Sequence, residues 1–271
     1  MKIAAIDLDG TLLRSDSNLS EYSKNVLGKA LDHDILFIPT SGRTFRSIMS
    51  KVGDVPGIRY TIGSNGTVIT DCRDSKIIYD KKIALETSYA IYSYIRENGG
   101  FFCGYCGNDS YLEEVDVGIL LATRLKQAIS EDLLSTDIRV PDMGGLIKSG
   151  DMVFGKMFIT FIDPADLAAC VEWLGRFDDI VYGYSTPYTV EIFGKGSNKD
   201  IALDFLRRHL NIKKEDVIAI GDSENDLSMI RYAHIGAAVE NGMDVLKEHA
   251  DLIIASNDDD GPAHFLEEMM K

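Results

Sequence analysis

Both ends of the sequence alternate between short apolar runs rich in β-branched residues and stretches with a helical pattern of apolar side chains. Lys2–Leu8 and Ile35–Thr40 are such runs near the start, and Val217–Gly221 and Ile235–Val239 lie near the end. Continuous apolar runs indicate strands buried on both faces, and strands that alternate with helices indicate a parallel sheet. The predicted fold class is therefore α/β, with a doubly wound, Rossmann-like parallel sheet as its core.

The middle of the sequence has a different order of predicted helices and strands. Leu85–Glu97 has a helical pattern, a further helical region is predicted over Leu120–Ala128, and Asp163-Pro164 combines a helix N-cap with proline at the first helical position. Strands and helices in this order indicate a separate α+β unit. The predicted domains are a core formed by residues 1–82 and 188–271 and an inserted α+β cap at residues 83–187.

The balance of charges limits the partners of this chain, because Asp and Glu outnumber Lys and Arg by 43 to 28 and the net charge is −15. Such a chain repels nucleic acid and anionic membranes, so neither is an expected partner. It also repels a phosphate substrate unless a cation lies in the site. No run approaches the roughly 20 apolar residues of a membrane span, and the N-terminus lacks the apolar core of a signal peptide. With only four cysteines, we expect a cytoplasmic protein with free thiols.

The segment Asp7-Leu8-Asp9-Gly10-Thr11 follows the first predicted strand. In open α/β sheets, ligands bind beyond the carboxyl ends of the strands. Residues two apart on a strand point the same way, so Asp7 and Asp9 are expected to face one ligand. Two adjacent carboxylates require a cation or a shared proton. The alternative interpretation is that these acids only end a strand and enter a turn.

Three further segments place polar residues at predicted strand or helix ends. Thr40-Ser41-Gly42-Arg43 offers a hydroxyl and backbone N–H groups beside a glycine, which suits phosphate oxygens but is also typical of a helix cap. Lys199 lies just inside a predicted helix, where a lone lysine is usually exposed. The segment from Gly221 to Asp226 follows another strand. Asp222 and Asp226 are hard oxygen ligands suited to Mg²⁺, although a helix N-terminus also favours acids.

In their order and placement, these four segments resemble the motifs of the haloacid dehalogenase superfamily in its phosphatase form. The resemblance extends to the Cof-type phosphatases, which carry a large α+β cap between the second and third motifs. It covers nearly all of the predicted core, and within the cap it rests on position and length. Further matching segments are Gly63-Ser64-Asn65-Gly66, Ser197-Asn198-Lys199, Asn241-Gly242 and Asp260-Gly261.

The resemblance implies a role for each matching residue. Asp7 resembles the nucleophile that attacks phosphorus, and Asp9 resembles the general acid and base. Mg²⁺ is implied as the cofactor, held by Asp7, Asp222 and the backbone carbonyl of Asp9. Asp226 would support the metal or its waters, and Lys199 resembles the lysine that balances charge. The phosphate-binding residues that the resemblance implies are Thr11, Ser41, Gly42, Arg43 and Asn225.

The activity that the resemblance implies is a Mg²⁺-dependent phosphohydrolase. It would remove phosphate from a small phosphorylated metabolite, a sugar phosphate or a phosphorylated cofactor, through an aspartyl-phosphate intermediate, and cap contacts would select the leaving group. Two alternatives stay open. One is a phosphosugar mutase that uses the same aspartates, and the other is a non-catalytic sensor of a phosphorylated metabolite, although binding alone would not need both Asp7 and Asp9.

Two other features of the sequence are interpreted as structural. Cys103 and Cys106 have the spacing of a redox motif or of half a zinc site. Strand residues flank them and no second pair exists, so we expect no functional role. The acidic run Asp258-Asp259-Asp260 is expected to be a solvated loop rather than a metal site.

Overall fold

A computed structural model describes residues 1–123, 125 and 134–271. These residues form two compact units, one made of Met1–Tyr79 with Asn198–Lys271 and the other of Asp80–Ser197. The second unit begins three residues before the predicted cap and ends ten residues after it. The later end has a physical reason, because the strand Thr189–Gly194 pairs with strands of the second unit rather than with the parallel sheet.

The strands of the described residues are, in chain order, β1 (Lys2–Ile6), β2 (Ile35–Pro39), β3 (Tyr60–Gly63), β4 (Val68–Asp71), β5 (Lys76–Asp80), β6 (Phe101–Cys106), β7 (Asp109–Leu112), β8 (Ile138–Arg139), β9 (Lys156–Thr160), β10 (Ile180–Thr186), β11 (Thr189–Gly194), β12 (Val217–Gly221), β13 (Ile235–Val239) and β14 (Leu252–Ile254). The α-helices are α1 (Glu21–Ala30), α2 (Phe45–Val52), α3 (Leu85–Glu97), α4 (Glu114–Ala122), α5 (Met143–Ser149), α6 (Pro164–Leu174), α7 (Lys199–His209), α8 (Leu227–Tyr232), α9 (Asp244–Lys247) and α10 (Gly261–Met269). Within the described ranges, no helix combines the length and the apolar character needed to cross a membrane.

Five parallel strands form the main sheet of the first unit, in the order β14-β13-β12-β1-β2. Side chains of a strand alternate between its two faces. Ala4 and Ile6 pack with helices α1 and α10 on one face, whereas Ile3 and Ala5 pack with α7 and α8 on the other. Helices therefore cover both faces, and the predicted doubly wound α/β core is confirmed.

A hairpin formed by β3 and β4 extends this unit beside the main sheet. Ile62 of β3 is bridged in parallel to Thr40, directly after β2. The hairpin turn contains Asn65 with φ of 55° and Gly66 with φ of 92°. A Cβ on Gly66 would lie 2.3 Å from the carbonyl oxygen of Asn198. Glycine thus allows the turn to lie against the start of α7, where Lys199 begins the helix.

The second unit is built on a six-stranded sheet in the order β10-β11-β9-β6-β7-β8. One face of this sheet packs against α3, α5 and α6 through an apolar cluster that includes Phe102 and Met157. On the opposite face, Phe101 and Phe158 pack with Leu120 of α4. Since the strand pairs are antiparallel except for β7 with β8, the unit has the predicted α+β character.

Two elements of the second unit differ from the predictions. The helix predicted over Leu120–Ala128 is α4, which ends at Ala122, and residues 124 and 126–128 of the prediction lie outside the described residues. Helix α5 was not predicted, because Gly144 and Gly145 near its start have low helix propensity. Asp142 offsets this by capping the helix, since its side chain accepts a hydrogen bond from the Gly145 N–H at 2.8 Å.

Cys103 and Cys106 lie on one strand and point to opposite faces of the sheet. Cys103 is buried in the cluster of Phe101, whereas Cys106 contacts the cluster of Phe102. Both are free thiols, and burial raises the pKa of Cys103 well above its ordinary value. Side chains on opposite faces share neither a disulfide nor a metal ion, which agrees with the structural interpretation of this pair.

A buried network of ion pairs and hydrogen bonds connects α4 to α3 and β6. Asp116 is fully buried, and its two carboxylate oxygens accept hydrogen bonds from the Arg96 guanidinium at 2.7 and 2.6 Å. The backbone N–H groups of Phe102 and Glu113 also donate to this carboxylate, at 2.9 and 2.8 Å. Arg96 also pairs with Glu113 at 2.8 Å, so loss of Asp116 would leave Arg96 with one counter-ion and the two N–H groups without an acceptor. The fold of the second unit therefore depends on this pair.

We predict that Asp116→Ala lowers the free energy of unfolding by about 2–4 kcal/mol, because the buried N–H groups of Phe102 and Glu113 lose their acceptor and Arg96 keeps only Glu113 as a counter-ion. Glu114→Ala is a matched control in the first turn of the same helix. Its side chain is 82% exposed in a surface ion pair with Arg139, and we expect a loss below about 1 kcal/mol. Urea denaturation of both variants measures the difference. Equal losses would show that the buried network does not stabilise the unit.

Candidate active site

The carboxyl end of β1 places Asp7 and Asp9 in different surroundings. Asp7 is 4% exposed, whereas the side chain of Asp9 is 48% exposed. Gly10 follows with φ of 80°, and a Cβ there would lie 2.7 Å from Oδ2 of Asp222. Glycine is therefore required for the chain after β1 to pass close to the chain after β12.

Lys199 is the centre of the buried charges at this edge of the sheet. Its Nζ donates to Oδ1 of Asp7 at 2.6 Å and to Oδ1 of Asp226 at 2.5 Å. The residue is fully buried, and it begins α7, which Asn198 caps by accepting a hydrogen bond from the Lys199 N–H. Burial opposes the charged ammonium, but the carboxylates of Asp226 and Asp7 outweigh that effect and raise the pKa of Lys199. The lysine is therefore a buried cation rather than the exposed side chain that a lone helical lysine usually is.

The loop after β12 brings two more carboxylates to the same place. Asp226 is fully buried, and its Oδ2 accepts hydrogen bonds from the backbone N–H groups of Asp222 and Ser223 at 3.0 and 3.1 Å. This bonding closes the turn and sets the position of Asp222. Oδ1 of Asp222 accepts a hydrogen bond from the Thr11 hydroxyl at 2.8 Å. Thr11 thus contacts a carboxylate, whereas the family resemblance implied a contact with phosphate.

The surroundings of these carboxylates disfavour negative charge. Burial raises the pKa of Asp7 well above its ordinary value and Asp226 adds to the rise, while Lys199 opposes it. Burial, followed by the charge of Asp226, raises the pKa of Asp222 to about 6. Three carboxylates against one ammonium leave an excess of negative charge, which a further cation at this site would relieve.

The same carboxylates fit a divalent metal ion. Asp7, Asp222 and Asp226 each offer an oxygen atom, and these atoms lie within 4.8 Å of one another. Carboxylate oxygens are the hard ligands that Mg²⁺ and Ca²⁺ prefer. The donor type and the excess negative charge both suit such an ion. The predicted ligands Asp7 and Asp222 are therefore brought together with Asp226, whereas the Asp9 side chain lies outside this cluster.

Asp9 forms a bidentate ion pair with Arg43. Nε of Arg43 donates to Oδ2 of Asp9 at 2.7 Å, and the second terminal nitrogen donates to Oδ1 at 2.8 Å. The first terminal nitrogen of Arg43 donates to the Ser47 hydroxyl at 2.9 Å, in the first turn of α2. Parallel bonds of this kind are among the stronger charge-assisted pairs. Arg43 was assigned to phosphate from the sequence, and here its guanidinium binds Asp9.

The remaining predicted residues surround the turn that carries Asn65. The N–H of Asn65 donates to the Ser41 carbonyl at 3.0 Å, and its Oδ1 accepts from Asn225 at 3.2 Å. A Cβ on Gly42 would lie 3.1 Å from Oδ1 of Asn65. Ser41 itself is buried. From the sequence, Asn65 was only part of a segment that matches the Cof-type phosphatases and had no assigned role; the signal that could have revealed one is its position after a third apolar run.

We predict that Lys199→Met lowers the free energy of unfolding by about 3–5 kcal/mol at pH 8, because buried carboxylates lose their counter-ion. The loss should shrink at pH 5, since the raised pKa values of Asp7 and Asp222 allow them to take up protons there, which removes the repulsion. Lys24→Met, at a surface pair with Glu21, should cost at most about 1 kcal/mol at either pH. Urea denaturation at both pH values tests this, and a loss independent of pH would contradict it.

The chain is similar to known proteins along nearly its whole length. A family model described as haloacid dehalogenase-like hydrolase matches residues 4–266. The chain is 28% identical to a 5-amino-6-(5-phospho-D-ribitylamino)uracil phosphatase of Bacillus subtilis strain 168, over 100% of this chain and 98% of that protein. It is 26% identical to another phosphatase of the same organism, over 100% of both chains.

Solved structures give the same result. A haloacid dehalogenase-like hydrolase from Bacteroides thetaiotaomicron superposes with a TM-score of 0.83 at 25% identity, over 99% of both chains. A protein from Thermotoga maritima superposes with a TM-score of 0.81 at 28% identity, over 98% of this chain and 97% of that one. With the family model covering both units, the chain belongs to the haloacid dehalogenase-like hydrolases.

Proposed function

We propose that this protein is a Mg²⁺-dependent phosphohydrolase that removes phosphate from a small phosphorylated metabolite through an aspartyl-phosphate on Asp7. The observation that carries the proposal is the buried Lys199 ammonium held between Asp7 and Asp226, with Asp222 in the same carboxylate cluster. In this proposal Asp7 is the nucleophile, Lys199 the fixed cation and Asp222 a metal ligand, and all three lie at the carboxyl edge of the parallel sheet. The phosphatase names of the relatives support the same activity.

In the first proposed step, a carboxylate oxygen of Asp7 attacks phosphorus as the bond to the leaving oxygen breaks. Lys199 donates to Oδ1 of Asp7, so its positive charge reduces the repulsion between the carboxylate and the phosphate. Oδ2 of Asp7 makes no hydrogen bond with other residues in the described ranges, which leaves it available for attack. Mg²⁺, held by Asp7, Asp222 and the Asp9 carbonyl, would supply further positive charge against the phosphate oxygens.

Asp9 is proposed to move the protons of both steps. It donates a proton to the leaving oxygen, and it then accepts one from the water whose oxygen attacks phosphorus and releases phosphate from Asp7. Asp9 is held by Arg43 in the structure. Proton donation therefore requires the Asp9 carboxyl to turn away from Arg43 when substrate binds. Its half-exposed side chain leaves room for that rotation.

We assign substrate selection to the second unit, Asp80–Ser197. The proposed substrates are sugar phosphates and phosphorylated cofactors. One relative is named for a phosphorylated ribityl compound, which combines a sugar-alcohol chain with a heterocycle and so lies between these two classes. Rates on a panel of phosphorylated metabolites, compared between the whole enzyme and variants of exposed polar residues in this unit, would identify the substrate.

We predict that enzyme stripped with EDTA is inactive and that Mg²⁺ restores turnover. Ca²⁺ should restore it poorly, because it accepts more ligands and can engage both oxygens of Asp7, which removes the attacking atom. The half-saturating Mg²⁺ concentration should rise as pH falls below about 6, approaching about tenfold for each pH unit, because protonated Asp222 is no longer a ligand. Titrations of p-nitrophenyl phosphate turnover with Mg²⁺ between pH 5 and 8 measure this. Full activity in EDTA would disprove the metal requirement.

A second prediction separates the two aspartates near β1. Asp7→Ala should abolish turnover of every phosphoester, because the nucleophile is absent. Asp9→Asn should release nitrophenol from p-nitrophenyl phosphate in a burst no larger than the enzyme concentration and then slow sharply. This leaving group needs little protonation, whereas the second step still needs a base. With an alkyl phosphate the burst should vanish.

Rapid-mixing measurements of nitrophenol and phosphate release distinguish the possible results. Ser149→Ala is the control and should keep wild-type kinetics, since its exposed hydroxyl bonds the Leu146 carbonyl and has no proposed part in the reaction. Steady turnover by Asp7→Ala would overturn covalent catalysis. An Asp9→Asn enzyme as fast as the wild type would overturn the acid–base role of Asp9 and leave covalent catalysis by Asp7 untouched.

A further inference from the structure

One short turn, Asn241-Gly242-Met243, contacts both of the loops that carry the carboxylate cluster. The Asn241 side chain donates to the carbonyl oxygen of Gly10 at 2.7 Å, in the loop after Asp7. The backbone N–H of Met243 donates to the carbonyl oxygen of Asp222 at 2.7 Å. The turn therefore links the loop after β1 to the loop after β12.

Gly242 allows the turn to approach this closely. A Cβ at this position would lie 2.9 Å from the Val239 carbonyl oxygen and 3.1 Å from the Asp222 carbonyl oxygen. Both contacts are with backbone atoms, which move only if the loops move. A larger residue would therefore push the turn away from the Asp222 loop.

The segment after β14 holds the Asn241 side chain in place. Its Oδ1 accepts from the backbone N–H of Asn257 at 3.0 Å. The Asn257 side chain is buried and donates to the carbonyl oxygen of Leu13 at 2.8 Å. Asn241 and Asn257 thus bind the loop after β1 at two successive points, Gly10 and Leu13.

Further bonds anchor the segment that carries Asn257. Asp260 is 8% exposed and accepts hydrogen bonds from Arg14 at 2.5 Å and from Ser20 at 2.6 Å. Asp258 accepts from the N–H and the hydroxyl of Ser15 at 2.8 and 2.7 Å. Asp258 and Asp259 are exposed, as predicted for a solvated loop, whereas Asp260 is buried. Through these hydrogen bonds, the acidic run connects the segment after β14 to the segment that follows Gly10.

We infer that Asn241, Gly242 and Asn257 are positioning residues that fix the separation between Asp7 and Asp222, and thereby set the affinity of the site for Mg²⁺. The inference rests on the proposed function. The carboxylates on the two loops repel each other, so the loops need a link that opposes their separation. None of the three residues belongs to the carboxylate cluster, and they act through the backbone of the loops. Groups that orient metal ligands in this way commonly change affinity by 10–100-fold.

The test is a titration of the thermal unfolding midpoint with MgCl₂, which reports binding without turnover. Asn241→Ala should need about 10–100-fold more Mg²⁺ than the wild type for the same stabilisation. Its turnover of p-nitrophenyl phosphate at saturating Mg²⁺ should stay within a few fold of the wild type. Gly242→Ala should show the same shift. Hydrogen exchange in peptides covering residues 8–20 should be faster in Asn241→Ala without Mg²⁺ and should slow when Mg²⁺ is added.

Asn98→Ala is the matched control. Asn98 is an exposed asparagine that donates to a backbone carbonyl, that of Tyr94, at 2.8 Å in the second unit. Its Mg²⁺ titration should match the wild type. If the wild type responds to Mg²⁺ and hydrolyses phosphoesters while Asn241→Ala and Gly242→Ala keep the wild-type titration, the positioning role is overturned and the proposed function stands. A wild type that neither responds to Mg²⁺ nor hydrolyses phosphoesters overturns both.

Discussion

Repulsion among buried carboxylates is the constraint on which the site depends. Asp7, Asp222 and Asp226 lie within one cluster, and Lys199 is the ammonium that binds two of them. Burial, together with the charge of Asp226, raises the pKa values of Asp7 and Asp222. Such a cluster costs folding free energy unless a cation and a rigid frame oppose it. The excess of negative charge in this cluster would be relieved by a bound metal ion, which is the basis of the proposed Mg²⁺ site.

The parallel sheet supplies the rigid frame. Strands β1 and β12 are neighbours in perfect register from Ile3 with Val217 to Ile6 with Ile220, so the loops that follow them emerge side by side. Apolar residues on both faces hold these strands between two layers of helices. Glycine at Gly10 then permits the close approach of the two loops. Burial of the core thus brings together acids that would otherwise move apart.

The sequence predicted the parts of this arrangement that depend on strand ends. Parallel strands end at one edge, so acids that follow two apolar runs had to meet there. The hydrogen bonds between side chains at that edge could not be predicted, because several polar side chains there can reach one another. Arg43 bonds to Asp9 and Thr11 to Asp222, whereas the family resemblance implied that both contact phosphate. The second unit extends beyond the predicted cap because β11 pairs with β9, and strand periodicity alone does not reveal which strands pair.

The central claim is that Asp7 becomes phosphorylated during turnover. The most direct measurement is mass spectrometry of wild-type enzyme quenched with acid during hydrolysis of p-nitrophenyl phosphate with Mg²⁺. Borohydride reduction converts an aspartyl-phosphate to homoserine and marks the residue. We expect the mark on Asp7, with none on Asp222 or Asp226. Phosphate release without a covalent adduct, or an adduct on any other residue, would contradict the claim.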